Sequence, residues 1–189
     1  MRVIAGKARR LPLKTVEGMD TRPTTDRIKE TLFNMIQNDL YGISFLDLFA
    51  GSGGIGIEAL SRGAGDCVFV DRSKEACRVI RANLAFTHLE GPGALVMECD
   101  YNMALERLSR TGRKFDMVFL DPPYHKEIEK AALERIAKLD IFNEDAVIII
   151  EADLETEFDY LEDLGYELIR VKTYKTNQHV FVQKKPEEA

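Results

Sequence analysis

From Phe45 onward, short apolar runs alternate with longer segments in which apolar residues recur at helical spacing. The first pattern is typical of buried strands and the second of amphipathic helices. The apolar runs predict strands at 44–49, 66–70, 94–98, 115–120, 145–151, 166–172 and 178–184. The helical spacing predicts helices near 54–62, 73–87, 101–110, 126–138 and 155–162. This alternation indicates an α/β fold with a mostly parallel sheet and helices on both faces.

The two ends of the chain depart from this alternation. Residues 173–177 are too few for a parallel crossover, so the last of the seven predicted strands should be antiparallel. Near the N-terminus, β-prone residues 2–5 and 11–16 predict a small hairpin. A helix should follow, with Thr24 or Thr25 as its cap. Its buried face would contain Ile28, Leu32, Phe33, Ile36 and Leu40.

The tetrapeptide Asp121-Pro-Pro-Tyr124 directly follows the predicted strand 115–120. Pro122 and Pro123 fix φ and lack an N–H, so the chain should leave the strand as a rigid loop. This loop carries the Asp121 carboxylate, the Pro122 carbonyl and the Tyr124 ring. They supply two acceptors for an exocyclic amine and a face on which a base can stack. A strand-end turn with a helix-capping Asp fits the same residues.

A glycine-rich run, Gly51 to Gly56, joins the first strand of the alternating region to its helix. Glycines permit positive φ and close approach of a ligand, and the first N–H groups of a helix attract anions. Gly51, Gly53 and Gly54 are therefore candidate cofactor-binding positions, and Asp71 lies 20 residues after Gly51 at ribose-binding spacing. This fingerprint does not separate NAD from another adenosine cofactor.

Asp47, four residues before Gly51, favours one cofactor class. A carboxylate at the mouth of the glycine run would repel a pyrophosphate and attract an ammonium group, directly or through water. S-adenosylmethionine has that ammonium and no phosphate. The Asp121 loop would then hold an amine that accepts the methyl group, a role for which a dehydrogenase has no use.

Composition restricts the class of protein. A chain of 189 residues with 45% hydrophobic and 31% charged residues is expected to be one globular domain. We divide it into an N-terminal extension (1–40), a core (41–184) and a disordered tail (185–189). No apolar run is long enough for a membrane helix, and three scattered cysteines and three scattered histidines predict free thiols, a cytoplasmic location and no metal site.

The net charge of −6 is unevenly distributed. The first 14 residues carry +5 and the first 30 carry +4, which leaves −10 for the remainder. A basic arm on an acidic body can be an RNA-binding surface, but the charge pattern by itself favours an ordinary solvated hairpin. Arg9, Arg10, Arg22 and Arg27 are the candidate phosphate contacts, and Arg27 could instead be an ion-pair partner on a helix surface.

The motifs together resemble a known family. Asp47-Leu-Phe-Ala-Gly-Ser-Gly53 with Asp121-Pro-Pro-Tyr124 resembles the class I S-adenosylmethionine-dependent methyltransferases that act on exocyclic amines of nucleobases. The run Thr21-Arg-Pro-Thr-Thr-Asp-Arg27, followed by Ile28 to Asn34, is similar to the RsmD family of 16S ribosomal RNA guanine-N2 methyltransferases. The similarity extends from Arg2 to about Val182. One departure is Ala8-Arg9-Arg10, where the family often has Arg-Gly-Arg.

The resemblance implies a Rossmann-like methyltransferase domain and a role for each motif. Asp121, Pro122, Pro123 and Tyr124 would hold the target base, and Asp100 with the Tyr101 N–H would bind the adenine of the cofactor. Asp100 also fits a cap of helix 101–110. The implied partner is 16S rRNA, free or within the 30S subunit or an assembly intermediate. We expect a monomer that binds neither membrane nor metal.

Three other functions fit some of the same residues. An adenine-N6 methyltransferase acting on DNA or another RNA would use Asp121-Pro-Pro-Tyr124 in the same way. A NAD-dependent oxidoreductase would use the glycine run and Asp71. A non-catalytic RNA-binding module would keep only the fold and the basic arm.

Overall fold

The computed structural model describes residues 1–16, 25–124 and 127–185. Its sheet contains seven strands in the order β3-β2-β1-β4-β5-β7-β6. Strands β1 to β5 pair in parallel, whereas β7 is antiparallel to both β5 and β6. The last strand in the sequence is therefore inserted between β5 and the edge strand β6. The expected Rossmann-like α/β fold with a mostly parallel sheet and an antiparallel last strand is confirmed.

The strands are β1 (Ser44–Asp47), β2 (Asp66–Asp71), β3 (Ala94–Glu98), β4 (Phe115–Leu120), β5 (Phe142–Ala152), β6 (Tyr166–Thr173) and β7 (Gln178–Lys184). The helices are α1 (Asp26–Ile36), α2 (Gly54–Arg62), α3 (Lys74–Thr87), α4 (Tyr101–Arg110) and α5 (Ile128–Ala137). Short 3-10 turns lie at Gln37–Asp39 and Asp159–Leu161. None of the helices in the described part of the chain is long and apolar enough to cross a membrane.

Two apolar layers cover the sheet, because alternate residues of a strand point to opposite faces. Phe45, Phe69 and Phe119 pack on one face with α1, α2, α3 and the N-terminal segment. Leu46 and Val118 pack on the other face with α4 and α5. The prediction of helices on both faces is confirmed, and it explains why the central strands read as continuous apolar runs.

The N-terminal residues 1–16, here called the N-terminal arm, pack along α2 around the buried carboxylate of Glu58. This carboxylate accepts the backbone N–H groups of Ile4 and Ala5 at 2.8 and 3.0 Å. It also pairs with Lys29 of α1 at 3.2 Å and with Arg62 of α2 at 2.8 Å. Lys29 and Glu58 are fully buried, so the arm and α1 meet at an ionic centre inside the protein.

The predicted small N-terminal hairpin is confirmed, with only a short stretch of pairing between its two segments. The two segments form one antiparallel bridge, Arg2 to Pro12, with flanking bonds from the Val3 N–H to the Leu11 carbonyl and from the Arg10 N–H to the Val3 carbonyl. The backbone of Ile4 and Ala5 is bonded to the Glu58 side chain and not to an opposing strand. Packing on α2 therefore limits the length of the hairpin.

The predicted helix 155–162 is wrong, since only the 3-10 turn Asp159–Leu161 forms there. The Asp153 carboxylate accepts the backbone N–H of Glu155 at 2.8 Å and the hydroxyl of Thr156 at 3.1 Å. Such local side-chain bonds compete with the first turn of a helix.

Thr25 is confirmed as the cap of α1, because its hydroxyl accepts the N–H of Ile28 at 3.3 Å. Thr24 lies outside the described residues. Lys185, which we assigned to the tail, donates its N–H to the Gly165 carbonyl at 2.8 Å. Residues 186–189 lie outside the described part, and the proposed division into extension, core and tail stays a prediction.

Candidate active site

A cleft of about 1500 Å³ lies at the carboxyl ends of the central strands. This edge is where open α/β sheets bind ligands. The cleft brings together most of the residues selected from the sequence. The predicted residues that line it are Arg27, Asp47, Gly51, Gly54, Asp71, Asp100, Tyr101, Asp121, Pro122, Pro123 and Tyr124.

The glycine run forms a tight turn between β1 and α2. Gly51 and Gly53 have φ of 53° and 79°, a region that L-residues with a side chain seldom adopt, and Gly53 is the residue before α2 begins. Gly56 lets α2 approach the sheet, because a Cβ there would lie 2.7 Å from the Cys67 sulfur and closer still to the Phe69 ring.

Two carboxylates hold this turn by accepting hydrogen bonds from its backbone N–H groups. Asp47 is almost completely buried, and its Oδ2 accepts the N–H of Gly56 at 3.0 Å. Asp71 accepts the N–H of Gly51 at 2.9 Å and that of Ser73 at 2.8 Å, which joins the turn to the start of α3. The N–H groups of Gly51 and Gly56 therefore bond to the protein's own carboxylates.

Burial makes Asp47 an unusual acid. Loss of solvent raises the pKa of Asp47 to about 7, the Gly56 hydrogen bond opposes the rise, and the nearby charge of Asp71 adds to it. The carboxyl group is thus half ionised near neutral pH, and a cation in the cleft would favour its charged form.

Asp100 caps α4, since its carboxylate accepts the N–H of Asn102 at 2.9 Å. Its side chain remains exposed, which leaves acceptor positions open to the cleft. The Tyr101 and Phe49 rings lie beside it with centroids 5.3 Å apart. Both readings of Asp100 are thus compatible with its position.

The Asp121 loop lies beside the glycine turn at the end of β4. Pro122 is buried, Asp121 is half-buried and Tyr124 is 36% exposed. Burial first, and then the charges of Glu151 and Asp47, hold the pKa of Asp121 well above its usual range. No ion pair involves Asp121 within the described ranges, and the charged groups that shift its pKa are both acids.

Comparison with known proteins places the chain in a family. The profile of a family described as "Conserved hypothetical protein 95" matches residues 1–183. YlbH of Bacillus subtilis strain 168, provisionally named an rRNA methyltransferase, is 45% identical over 157 residues that cover 83% of this chain and 85% of YlbH. The chain belongs to the RsmD family of rRNA methyltransferases.

Two further comparisons agree with this membership. Ribosomal RNA small subunit methyltransferase D of Haemophilus influenzae is 35% identical, over 81% of this chain and 79% of that protein. The structure of yhhF from Escherichia coli, provisionally named a methyltransferase, superposes with a TM-score of 0.83 at 29% identity over 98% of both chains. The resemblance inferred from the motifs is confirmed at the level of family and fold.

The structure separates the arginines that the sequence grouped as RNA contacts. Arg27 of α1 lines the cleft. Arg9 and Arg10 are exposed at the opposite end of α2, where the neighbouring N–H of Lys7 bonds to the Ser61 carbonyl at 2.8 Å. Arg22 lies outside the described residues.

Sequence reasoning missed the β6–β7 turn, which closes one side of the cleft. The cleft is lined on this side by Lys172, Tyr174, Lys175 and Asn177. Lys172 lies over the Tyr174 ring, 5.9 Å from the centroid. A lysine near the end of β6 and another in the turn that follows were a visible signal, but nothing local in the sequence places that turn beside Asp121.

Glu151 was also missed, although it is a carboxylate at the end of the apolar run 146–150. It is almost completely buried, lines the cleft and accepts the Tyr124 hydroxyl at 3.3 Å.

Proposed function

We propose that this protein transfers a methyl group from S-adenosylmethionine to the exocyclic N2 amine of a guanine in 16S ribosomal RNA. The observation that carries the proposal is the shared cleft. Asp121, Pro122 and Tyr124 line it together with the glycine turn, Asp47 and Asp71. An amine-binding loop thus lies beside an adenosine-type cofactor turn.

The residues present fit S-adenosylmethionine better than a pyrophosphate cofactor. The N–H groups of Gly51 and Gly56, which would hold a phosphate, bond to Asp71 and Asp47. Three acidic side chains, Asp47, Asp71 and Asp100, face the same space. We infer that Asp71 binds ribose hydroxyls, that Asp100 and the Tyr101 N–H bind the adenine, and that Asp47 attracts the ammonium group. The cofactor, when bound, supplies an electrophilic methyl group.

The Asp121 loop would prepare the substrate amine. The lone pair of the guanine amine is delocalised into the ring, so the amine is a weak nucleophile. Acceptance of its hydrogens by the Asp121 carboxylate and the Pro122 carbonyl would raise the electron density on nitrogen and fix its direction. The Tyr124 ring would stack on the extruded base, an interaction worth ~1–3 kcal/mol. Alignment would then supply much of the rate enhancement.

The RNA assignment is supported by the family and by cations at the rim. The Haemophilus influenzae relative is named a small-subunit rRNA methyltransferase. Arg27 on one side of the cleft and Lys172 and Lys175 on the other are suited to phosphates that flank an extruded base. The choice of guanine N2 is supported by the resemblance of 21–34, of which Arg27 and Ile28 line the cleft.

The test uses purified protein, tritiated S-adenosylmethionine and 16S rRNA from a strain that lacks the gene. The RNA is then digested to nucleosides and analysed by mass spectrometry. We expect tritium to enter N2-methylguanosine in RNA from the deletion strain, at about one methyl group per 16S rRNA. RNA from the complemented strain already carries this methyl group and should take up no tritium. N6-methyladenosine would overturn the guanine assignment, and NADH binding without S-adenosylmethionine binding would overturn the cofactor.

Two variants test the assigned roles. Asp121→Ala should lose at least about a hundredfold in methyl transfer and keep its cofactor affinity, because it removes the acceptor for the amine. Asp71→Ala should weaken cofactor binding about tenfold or more, because each charged hydrogen bond is worth ~1.5–3 kcal/mol. Asp140→Ala, at a carboxylate whose side chain is 88% exposed, is the control. Unchanged cofactor affinity in folded Asp71→Ala would contradict its role.

A further inference from the structure

Glu151 is the centre of a buried hydrogen-bond network beneath the Asp121 loop. It lies in β5 and is 5% exposed. Its carboxylate accepts from Asn177 Nδ2 at 2.7 Å and from the Tyr124 hydroxyl at 3.3 Å, and its other oxygen lies 3.1 Å from His179 Nε2. The donors come from the Asp121 loop, the β6–β7 turn and β7.

Strand register explains why these groups meet. Leu120 of β4 pairs with Ile150 of β5, so the next residues, Asp121 and Glu151, are neighbours at the ends of two parallel strands. Glu151 pairs directly with His179 of the antiparallel strand β7. Asp121, Glu151 and His179 therefore form a row across the sheet at the floor of the cleft.

The network continues one step beyond His179. The Tyr174 hydroxyl lies 3.1 Å from His179 Nδ1, and the two rings meet edge to face at 5.0 Å. A neutral imidazole with its proton on Nε2 would donate to Glu151 and accept from Tyr174. His179 is fully buried, so the ring is fixed between these two partners.

We propose that Glu151 is a positioning residue for methyl transfer: it anchors the Tyr124 hydroxyl and places a second negative charge beside Asp121. This inference rests on the proposed function, because Tyr124 and Asp121 are there the base-binding groups. Tyr124 is exposed, whereas Asp121 and Pro123 are half-buried and Pro122 is buried. The bond to a carboxylate that is itself held by Asn177 and His179 restricts its ring before a base arrives, which lowers the cost of stacking.

The second consequence is electrostatic. Asp121 faces Asp47 from β1, Glu151 from β5 and the Tyr124 hydroxyl in its own loop, with His179 and Tyr174 behind Glu151. Burial and the charge of Glu151 raise the pKa of Asp121. Removal of the Glu151 charge should therefore lower the pKa of Asp121. The ionised carboxylate is the form that accepts the amine hydrogens, and it would then persist to a lower pH.

The experiment compares Glu151→Gln with Glu144→Gln, which changes an exposed carboxylate on the same strand. Carbon-13 NMR of labelled aspartate carboxyls follows the titration of Asp121, assigned from the spectrum of Asp121→Asn. We expect the Asp121 midpoint to fall by about one pH unit or more in Glu151→Gln and to stay unchanged in Glu144→Gln. The acid limb of kcat against pH should move in the same direction.

Base positioning has its own measurement. A short RNA that carries 2-aminopurine reports stacking on Tyr124 by fluorescence quenching. Tyr124→Phe removes the hydroxyl that donates to Glu151 and keeps the ring, so the variant should fold normally. It should weaken this binding about threefold to tenfold and leave the Asp121 midpoint unchanged. Cofactor affinity should not change in either variant.

An unmoved Asp121 midpoint in Glu151→Gln, or full 2-aminopurine quenching by Tyr124→Phe, would overturn the inference. The NMR titration needs no turnover, so its outcome is independent of the proposed reaction. A protein that shows the midpoint shift but methylates no RNA would refute the proposed function and leave the coupling of the two carboxylates intact.

Discussion

At the scale of single residues, Asp47 combines a structural and an electrostatic role. Its carboxylate holds the Gly56 N–H from within the core, and burial raises its pKa to about 7. A folded-state pKa above the unfolded value means that the folded protein keeps a proton that the unfolded chain has released. Ionisation of Asp47 therefore destabilises the fold as the pH rises from the unfolded-state pKa to the folded-state pKa of this group.

We predict that Asp47→Asn removes this pH dependence. Between the ordinary value of 3.8 and about 7, the free energy of unfolding of the wild type should fall relative to that of Asp47→Asn. Over this pH range the difference in unfolding free energy between the two proteins should change by up to about 4 kcal/mol, because each pH unit contributes about 1.4 kcal/mol. Urea unfolding from pH 4 to pH 8 measures it. Asp39→Asn, at an exposed position, is the control, and a difference that is constant with pH would contradict the prediction.

Gly56 shows how closely α2 approaches the sheet. An added Cβ would meet the Cys67 sulfur at 2.7 Å and the Phe69 ring, both in the core, whereas at Gly54 it would meet the end of the flexible Met1 side chain. We predict that Gly56→Ala lowers the free energy of unfolding by about 1–3 kcal/mol. Gly54→Ala should change it by less than about 1 kcal/mol. Equal denaturation midpoints for the two variants would show that α2 can move away from β2.

At the scale of elements, the N-terminal arm, α1 and α2 are joined through Glu58. Its carboxylate binds two buried or nearly buried cations and two backbone N–H groups. Burial lowers the pKa of Lys29, and the charge of Glu58 opposes that shift. Glu58, in the middle of α2, is therefore the charged centre among the side chains that hold the arm.

We predict that Glu58→Ala lowers the free energy of unfolding by about 3–5 kcal/mol, because it leaves Lys29 buried without its counter-ion. Glu75→Ala breaks the exposed Glu75–Arg78 pair on α3 and should cost at most about 1 kcal/mol. Thermal or urea denaturation of both variants measures the contrast. A loss below 1 kcal/mol in Glu58→Ala would mean that the other contacts of the arm, such as the Ala8 N–H to the Ser61 hydroxyl at 2.9 Å, are sufficient to hold it.

At the scale of the whole molecule, the cations that could bind RNA lie at two distances from the cleft. Lys172 and Lys175 line it, whereas Arg9 and Arg10 lie near the far end of α2, a helix of nine residues. Nine helical residues span ~14 Å. An RNA that reaches both groups must extend well beyond the extruded base.

We predict that RNA length distinguishes the two groups. Lys172→Ala/Lys175→Ala should weaken binding of a fragment of a few nucleotides and flatten its log–log salt slope by about 0.7–0.9 for each lost phosphate contact. Arg9→Ala/Arg10→Ala should leave the short fragment unaffected and act only on long RNA. Lys184→Ala, exposed at the other end of β7, is the control. Equal effects of both double variants on the short fragment would contradict this arrangement.

Much of the fold followed from the sequence because its signals are local. The apolar runs from Phe45 onward predicted all seven strands, since a parallel sheet buries both faces of each strand. The glycines and the Asp121 loop predicted one ligand edge because turn geometry depends on neighbouring residues. The helix predicted at 155–162 failed because the Asp153 side chain competes for the backbone there.

Only the tertiary structure decided which distant groups meet. The insertion of β7 between β5 and β6 brings His179 and Asn177 to Glu151, residues separated by 28 and 26 positions in the chain. The packing of the arm on α2 moves Arg9 and Arg10 away from the cleft. Strand order and register follow from how the two apolar layers close over the sheet. Because this packing involves the whole core, no short segment of the sequence specifies the strand order or the register.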